Sequence, residues 1–202
     1  MKEGASGAPS RRDLQRQETR RRVFEAALSV FRRDGVSGAS VEEIARLAGV
    51  SRGTFYFHYP TRQDVLVELL VRAEADFVDA IEETPPTAKL AEIFIVIASA
   101  IARRWSADPR LFAEVGVVAL RRTATQLDVG EKAGLVREAL VNRFGLAAGR
   151  GELTSSVPPQ VLADLFLANT FAVAIGWSTS PERPLEDVLL ASAQLFLHGA
   201  NP

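Results

Sequence analysis

From Ser40 to Arg62 the chain reads SVEEIARLAGVSRGTFYFHYPTR, and its punctuation admits two short helices joined by a tight turn. Ser40 suits an N-cap, and Glu43 three residues later completes a capping box. Val41, Ile44, Ala45 and Ala48 recur at helical spacing and define an inward stripe. Gly49 stops this helix, because glycine takes a left-handed C-terminal position without steric cost. Val50 plugs the turn, and Ser51 caps a second helix over about Arg52–Tyr59. Phe55 and Tyr59 lie four apart and face inward together. Arg52, Gly53, Thr54, Tyr56, Phe57 and His58 are left without a core to fill. A short helix that shows a guanidinium, a hydroxyl, a phenol, an aromatic ring and an imidazole to solvent suits a nucleic-acid groove. The turn is that of a helix-turn-helix.

On the residues Gly35, Ser40, Ile44-Ala45, Ala48-Gly49-Val50-Ser51, Gly53-Thr54-Phe55-Tyr56, His58-Tyr59, Arg62 and Leu66, the sequence resembles the TetR family of bacterial transcriptional regulators. The resemblance is specific over about residues 18–70 and rests on length and helical pattern beyond them. Where the family usually has Thr, Phe and Lys, this chain has Ser40, Tyr59 and Arg62, which keep a hydroxyl cap, an inward ring and a cation. The resemblance implies an all-α protein of about nine helices. A three-helix DNA-binding domain would occupy residues 14–62, and a helical effector-binding and dimerisation domain residues 63–202.

Charge follows the same division. Residues 1–62 hold 12 Lys/Arg against 7 Asp/Glu, and residues 63–202 hold 12 against 18. Cations gather on the segment with the helix-turn-helix, as phosphate binding requires. Arg52 can present its fork to guanine and Phe57 can meet a thymine methyl, while Gly53 lets the backbone approach the groove. Ser40, Thr54, Tyr56, His58 and Arg62 are expected on phosphates, which set position rather than sequence. These positions match the family's usual DNA contacts. Packing of Phe57 on its neighbours is the plainer alternative. Residues 1–13, nearly devoid of apolar side chains, read as a disordered basic arm. It is either a solvated tail or a means for Arg11, Arg12 and Arg16 to reach the duplex.

A first helix is expected over Leu14–Asp34, closing a three-helix core with Ile44, Leu47 and Phe55; Arg20, Arg21 and Arg22 decorate its start, as a solvated face or as contacts. Thr61 can cap a long helix from Arg62 to about Glu82, a lever shared by both domains. Further helices follow over about Thr87–Ser106, Asp108–Arg122 and Gly130–Ala148. With the long helix, they would enclose a mostly apolar cavity. Its candidate lining is Phe77, Phe94, Ile97, Trp105, Phe112 and Phe144, each of which serves equally well as plain core. The occupant expected is a hydrophobic or amphipathic small molecule.

The last two helices, Pro158–Trp177 and Leu185–His198, carry more apolar surface than one chain covers. Leu165, Ala168, Ala172 and Gly176 line one face of the first, and Val188 and Leu195 lie on the second. A four-helix bundle with a second copy follows, the alternative being intrachain core.

Other classes find little support. No cysteine is present, which fits a reducing cytoplasm, and the N-terminus shows no apolar run of a signal peptide. Of two apolar stretches, Ile93–Ala102 is too short to span a membrane and Val161–Trp177 carries Asp164 and Asn169. The two histidines, His58 and His198, sit in no metal or general-base pattern, and no phosphate loop or zinc spacing exists. No enzyme, metal or cofactor is expected. The reading is a cytoplasmic homodimeric repressor, released from a palindromic operator by an effector. The alternatives are a regulator without small-molecule effector and an activator.

Overall fold

Nine α-helices form among the described residues, and no strand. The computed structural model describes residues 10–129, 134–153 and 156–200, of which residues 122–129 and 200 by backbone alone. In chain order the helices are α1 (Arg11–Gly38), α2 (Val41–Ala48), α3 (Arg52–His58), α4 (Arg62–Glu82), α5 (Leu90–Trp105), α6 (Pro109–Val129), α7 (Leu135–Gly149), α8 (Pro159–Thr179) and α9 (Leu185–Ala200). Two compact units divide at Val65/Leu66, inside α4 and three residues beyond the expected boundary.

In the first unit, α1 starts earlier than its apolar stripe suggests. The Ser10 side chain accepts from the Asp13 N–H, and the Asp13 carboxylate takes the Ser10 N–H in return. This capping box brings Arg11–Asp13 out of the expected disordered arm and into a helix. The rest of the arm, residues 1–9, lies outside the described residues. Regular helical dihedrals break at Gly35, with φ 73°. Val23, Phe24, Ala27, Val30 and Phe31 are buried, as are Ile44, Ala45 and Ala48 of α2 and Phe55 of α3, with α1 packed on α2 and α2 on α3. Leu47 is not in this core, being 47% exposed. On a two-turn helix only 44, 45 and 48 fit the inward stripe, and 47 falls at its margin.

The turn closes as the sequence indicates. Gly49 sits at φ 65°, its N–H bonds to Arg46, and the Val50 N–H reaches Ala45 at 2.9 Å, a Schellman closure. Ser51 then accepts from the Thr54 N–H at 3.1 Å. The capping box at Ser40 forms by half. Its Oγ accepts from the Glu43 N–H, but the Glu43 carboxylate pairs with Arg33 at 2.7 Å.

In the second unit, α8 packs on α6, α7 and α9, and α5 packs on α9. A cluster of rings fills the centre: Phe94 stacks on Phe166 at 4.2 Å, with Phe144 and Phe196 edge-on around them. Helices α6 and α8 approach closely at Gly116, where a Cβ would stand 3.0 Å from the Ile175 side chain. Two expected boundaries move: α6 continues to Val129, and α7 begins at Leu135. The expected start of α7, Gly130, lies outside the described residues. By length and composition α8 alone among the described residues could cross a membrane. Its polar residues are satisfied within the unit: Asp164 by Arg137, and Asn169 by Ser192.

Candidate nucleic-acid interface and effector cavity

Helix α3 turns two faces in opposite directions. Phe55 and Tyr59 are fully buried, so the helix is clamped from one side. Arg20 of α1 reinforces the clamp: its guanidinium lies 4.5 Å from the Tyr59 ring centre and donates to the His58 carbonyl at 3.1 Å. Tyr56 at 45% and Phe57 at 64% exposure point away from the core, with Arg52 and Gly53 exposed beside them and Thr54 half-buried. Such exposure of two aromatic rings on a seven-residue helix is costly unless something covers them. Arg16 stands over the Phe57 ring at 5.0 Å, so this ring packs on a neighbour while most of it stays exposed.

Two expected contacts are placed differently. His58 is 7% exposed, not solvent-facing, and its ring meets Phe57 edge-on at 5.1 Å. It stands three residues after Phe55 and so shares the inward side of the helix. Arg62 is half-buried and donates to the Ser37 carbonyl at 3.0 Å and the Ala39 carbonyl at 2.6 Å. Its cation fixes the loop that delivers Ser40. The Ser40 hydroxyl itself is exposed and bonds Glu42 at 3.0 Å. Arg20 was the residue that spacing did not single out. An arginine four residues before an inward phenylalanine, opposite an inward tyrosine, is the pattern that identifies it.

In the second unit a cavity of about 50 Å³ lies between α4, α5, α6, α7 and α8. Phe77 and Ile97 line it as expected, together with Leu70, Glu74, Ile101, Val136, Arg137, Leu140, Thr170 and Phe171. Phe94 and Phe144 belong instead to the central ring cluster. Trp105 and Phe112 stack on each other at 5.2 Å. The four are core because rings at these positions find each other before they find a void. At the cavity wall, Arg137 makes a bidentate pair with Asp164 at 2.5 and 2.9 Å. That carboxylate holds the guanidinium more basic than usual.

The outer sides of α8 and α9 remain uncovered. Leu165 is 52% and Leu195 75% exposed, Ala172 and Gly176 are exposed, and Ala168 and Val188 are half-buried. Nothing stands within 4 Å of a Cβ built on Gly176.

An exposed, cation-bearing α3 held by a three-helix core, followed by an all-helical unit, defines a helix-turn-helix DNA-binding protein. The family described as bacterial regulatory proteins, tetR family, matches residues 23–69. The HTH-type transcriptional regulator SrpR of Pseudomonas putida is 48% identical over 54 residues, covering 27% of this chain and 25% of that protein. The HTH-type transcriptional repressor KstR of Rhodococcus jostii is 31% identical over 94 residues, 46% of this chain and 44% of that one. The chain thus spans less than half the length of the curated relatives it matches. Over the whole fold, the Bacillus halodurans fatty acid degradation regulator FadR aligns at TM-score 0.67 and 23% identity, covering 89% of this chain and 94% of its own. Thermus thermophilus FadR, a repressor solved in complex with lauroyl-CoA, aligns at TM-score 0.60 and 25% identity with the same coverage. Residues 23–69 are thus similar to the DNA-binding segment of TetR-family regulators, and the fold as a whole is similar to that of a TetR-family repressor.

Proposed function

We propose that the protein is a homodimeric repressor that binds a palindromic operator through α3 and releases it when a hydrophobic small molecule enters the second unit. The observation that carries this reading is the exposed set Arg52, Gly53, Tyr56 and Phe57 on a helix whose opposite side is fully buried. Arg52 and Phe57 read base edges; Ser40, Thr54 and Tyr56 hold phosphates. His58 and Arg62 shape the module from within. Two copies joined through α8 and α9 present two α3 helices to half-sites about 34–36 Å apart or a multiple of that. A dimer of this kind works in the cytoplasm, where the DNA is.

The cavity is far smaller than the ~300–1,000 Å³ of drug-sized sites. An effector therefore enters by moving the walls that α4 and α7 provide. A ligand that fits only the widened state draws the population toward it, and α4 runs from the first unit into the second. Release of the operator is bounded by the ligand's preference between the two states.

A nuclease footprint over the DNA flanking the protein's own gene tests the core of this reading. A symmetric protected site is expected. The triple variant Arg52→Ala, Tyr56→Ala, Phe57→Ala should abolish it, and full retention of the footprint would overturn the assignment of α3.

A further inference from the structure

Of the run Arg20-Arg21-Arg22 on α1, two guanidinium groups are committed: Arg20 to Tyr59 and the His58 carbonyl, Arg21 to Glu18 and Glu25 at 2.6 and 2.7 Å. Arg22 makes no hydrogen bond or ion pair among the described residues, though Glu18, one turn earlier, feels its charge. It leans toward the turn, with Nη1 3.5 Å from where a Gly49 Cβ would stand. Arg46 on α2 is likewise exposed and without such a partner. Arg22, Glu25, Arg46, Leu47 and Gly49 line one open groove between α1 and the end of α2. Its single carboxylate, Glu25, is already engaged by Arg21.

Helix α2 links this groove to the start of α3. Arg46 falls one turn after Glu42 on α2, and Glu42 holds Arg52 at 2.8 Å, so the three side chains share a face. We propose that Arg22 and Arg46 form a phosphodiester site that extends the duplex contact of α3 along the DNA backbone. The inference rests on the duplex-binding reading and adds two contacts that carry no sequence information. The exposed Leu47 forms an apolar edge of the groove beside the two charges.

The test uses the full chain and a fluorescein-labelled 30-base-pair duplex of mixed sequence, with anisotropy measured from 50 to 200 mM KCl. Each phosphate contact contributes about 0.9 to the slope of log K on log salt. The Arg22→Gln, Arg46→Gln variant is expected to lower that slope by about 1.8, and Arg22→Lys, Arg46→Lys to restore most of it. Circular dichroism and melting on the same samples confirm that both variants are folded, as expected for exposed side chains. An unchanged slope overturns the site while leaving α3 as the reader. An unchanged slope together with lost self-association assigns the groove to a second copy and overturns it too. Absence of any duplex binding by the wild type sinks the duplex reading and this site with it.

Discussion

Arg52 Nη1 lies 2.8 Å from Glu42 Oε1, so the cation best placed to read a base is held by a carboxylate of the preceding helix. Both groups are exposed, and the Glu42 carboxyl is kept below its ordinary value first by its own backbone N–H, then by Ser40 and the Arg52 charge. Such a pair is weak in water and can open on the duplex. Glu42→Gln is expected to tighten duplex binding a few-fold, because Arg52 no longer leaves a partner and one repulsive charge goes. Arg52→Ala should cost roughly 1–3 kcal/mol at one base pair and little at the others. Competition titrations with single-base operator variants separate the two outcomes.

Arg62 gives the opposite kind of result. Its two hydrogen bonds to the Ser37 and Ala39 carbonyls are charge-assisted and partly shielded. Arg62→Ala should destabilise the first unit by about 1–3 kcal/mol. Weaker duplex binding follows through Ser40, without loss of base discrimination. Melting of residues 10–65 followed by hydrogen exchange, against affinity for matched and mismatched duplexes, checks both parts. A stability unchanged by the substitution would show that the carbonyls find water at no cost.

How far the sequence disclosed these arrangements differs by element. Phe55 and Tyr59 were legible because an i, i+4 pair of rings has one sensible direction. His58 was not, because a polar residue at i+3 gives no hydrophobic signal, yet it is buried with them. Leu47 misled for the reverse reason: an apolar side chain next to a stripe is not in it. The exposed row on α8 and α9 was readable from small and apolar residues at 3- and 4-residue steps. The lining of the cavity was not. Phe94, Phe144, Trp105 and Phe112 have the same periodicity as Phe77 and Ile97, and only tertiary packing decides which of them face a void.

Within the second unit, Asp164 is 4% exposed and its carboxylate is held by the Arg137 fork. Removing the carboxylate leaves a guanidinium uncompensated beside an apolar cavity. Asp164→Ala should cost about 3 kcal/mol, the lower end of the range for buried pairs because Arg137 retains partial exposure. A drop of roughly 6–12 °C in Tm is the expected reading for a chain of this size. The double variant Arg137→Met, Asp164→Leu should recover most of it, since apolar residues of similar volume replace such pairs at little cost. Failure of the double variant to recover would mean the pair orders the wall in a way that packing alone does not.

Acid should loosen the start of α1 first. The Asp13 carboxyl is held below its ordinary value of about 3.8, chiefly by the Ser10 hydroxyl and then by the Ser10 N–H. A group depressed in the folded state stabilises it above the unfolded pKa, and that contribution is lost as the pH falls through the folded value. The first turn of α1 should therefore lose amide protection only below about pH 4, ahead of the core. Carbon-13 titration of the Asp13 carboxyl reads the shift directly, and Ser10→Ala should return it toward the ordinary value. An Asp13 that titrates alike in both proteins would remove the cap from the account.

The surface of α8 and α9 makes the most consequential forecast. Leu195 is 75% exposed and Leu165 52%, so neither contributes much to the stability of an isolated chain. In a four-helix bundle with a second copy both are buried, and the open space at Gly176 lets the two α8 helices approach. Leu195→Glu places a charge in that contact. The dimer dissociation constant should rise about ten- to a hundredfold, that is ~1.4–2.8 kcal/mol, while Tm at low concentration barely changes. Ile95→Glu on α5, 51% exposed and outside the predicted contact row, serves as the control and should leave the assembly intact. Sedimentation velocity across micromolar concentrations distinguishes the cases. A wild type that sediments as a monomer throughout removes both the bundle and the paired α3 helices that a palindromic operator demands.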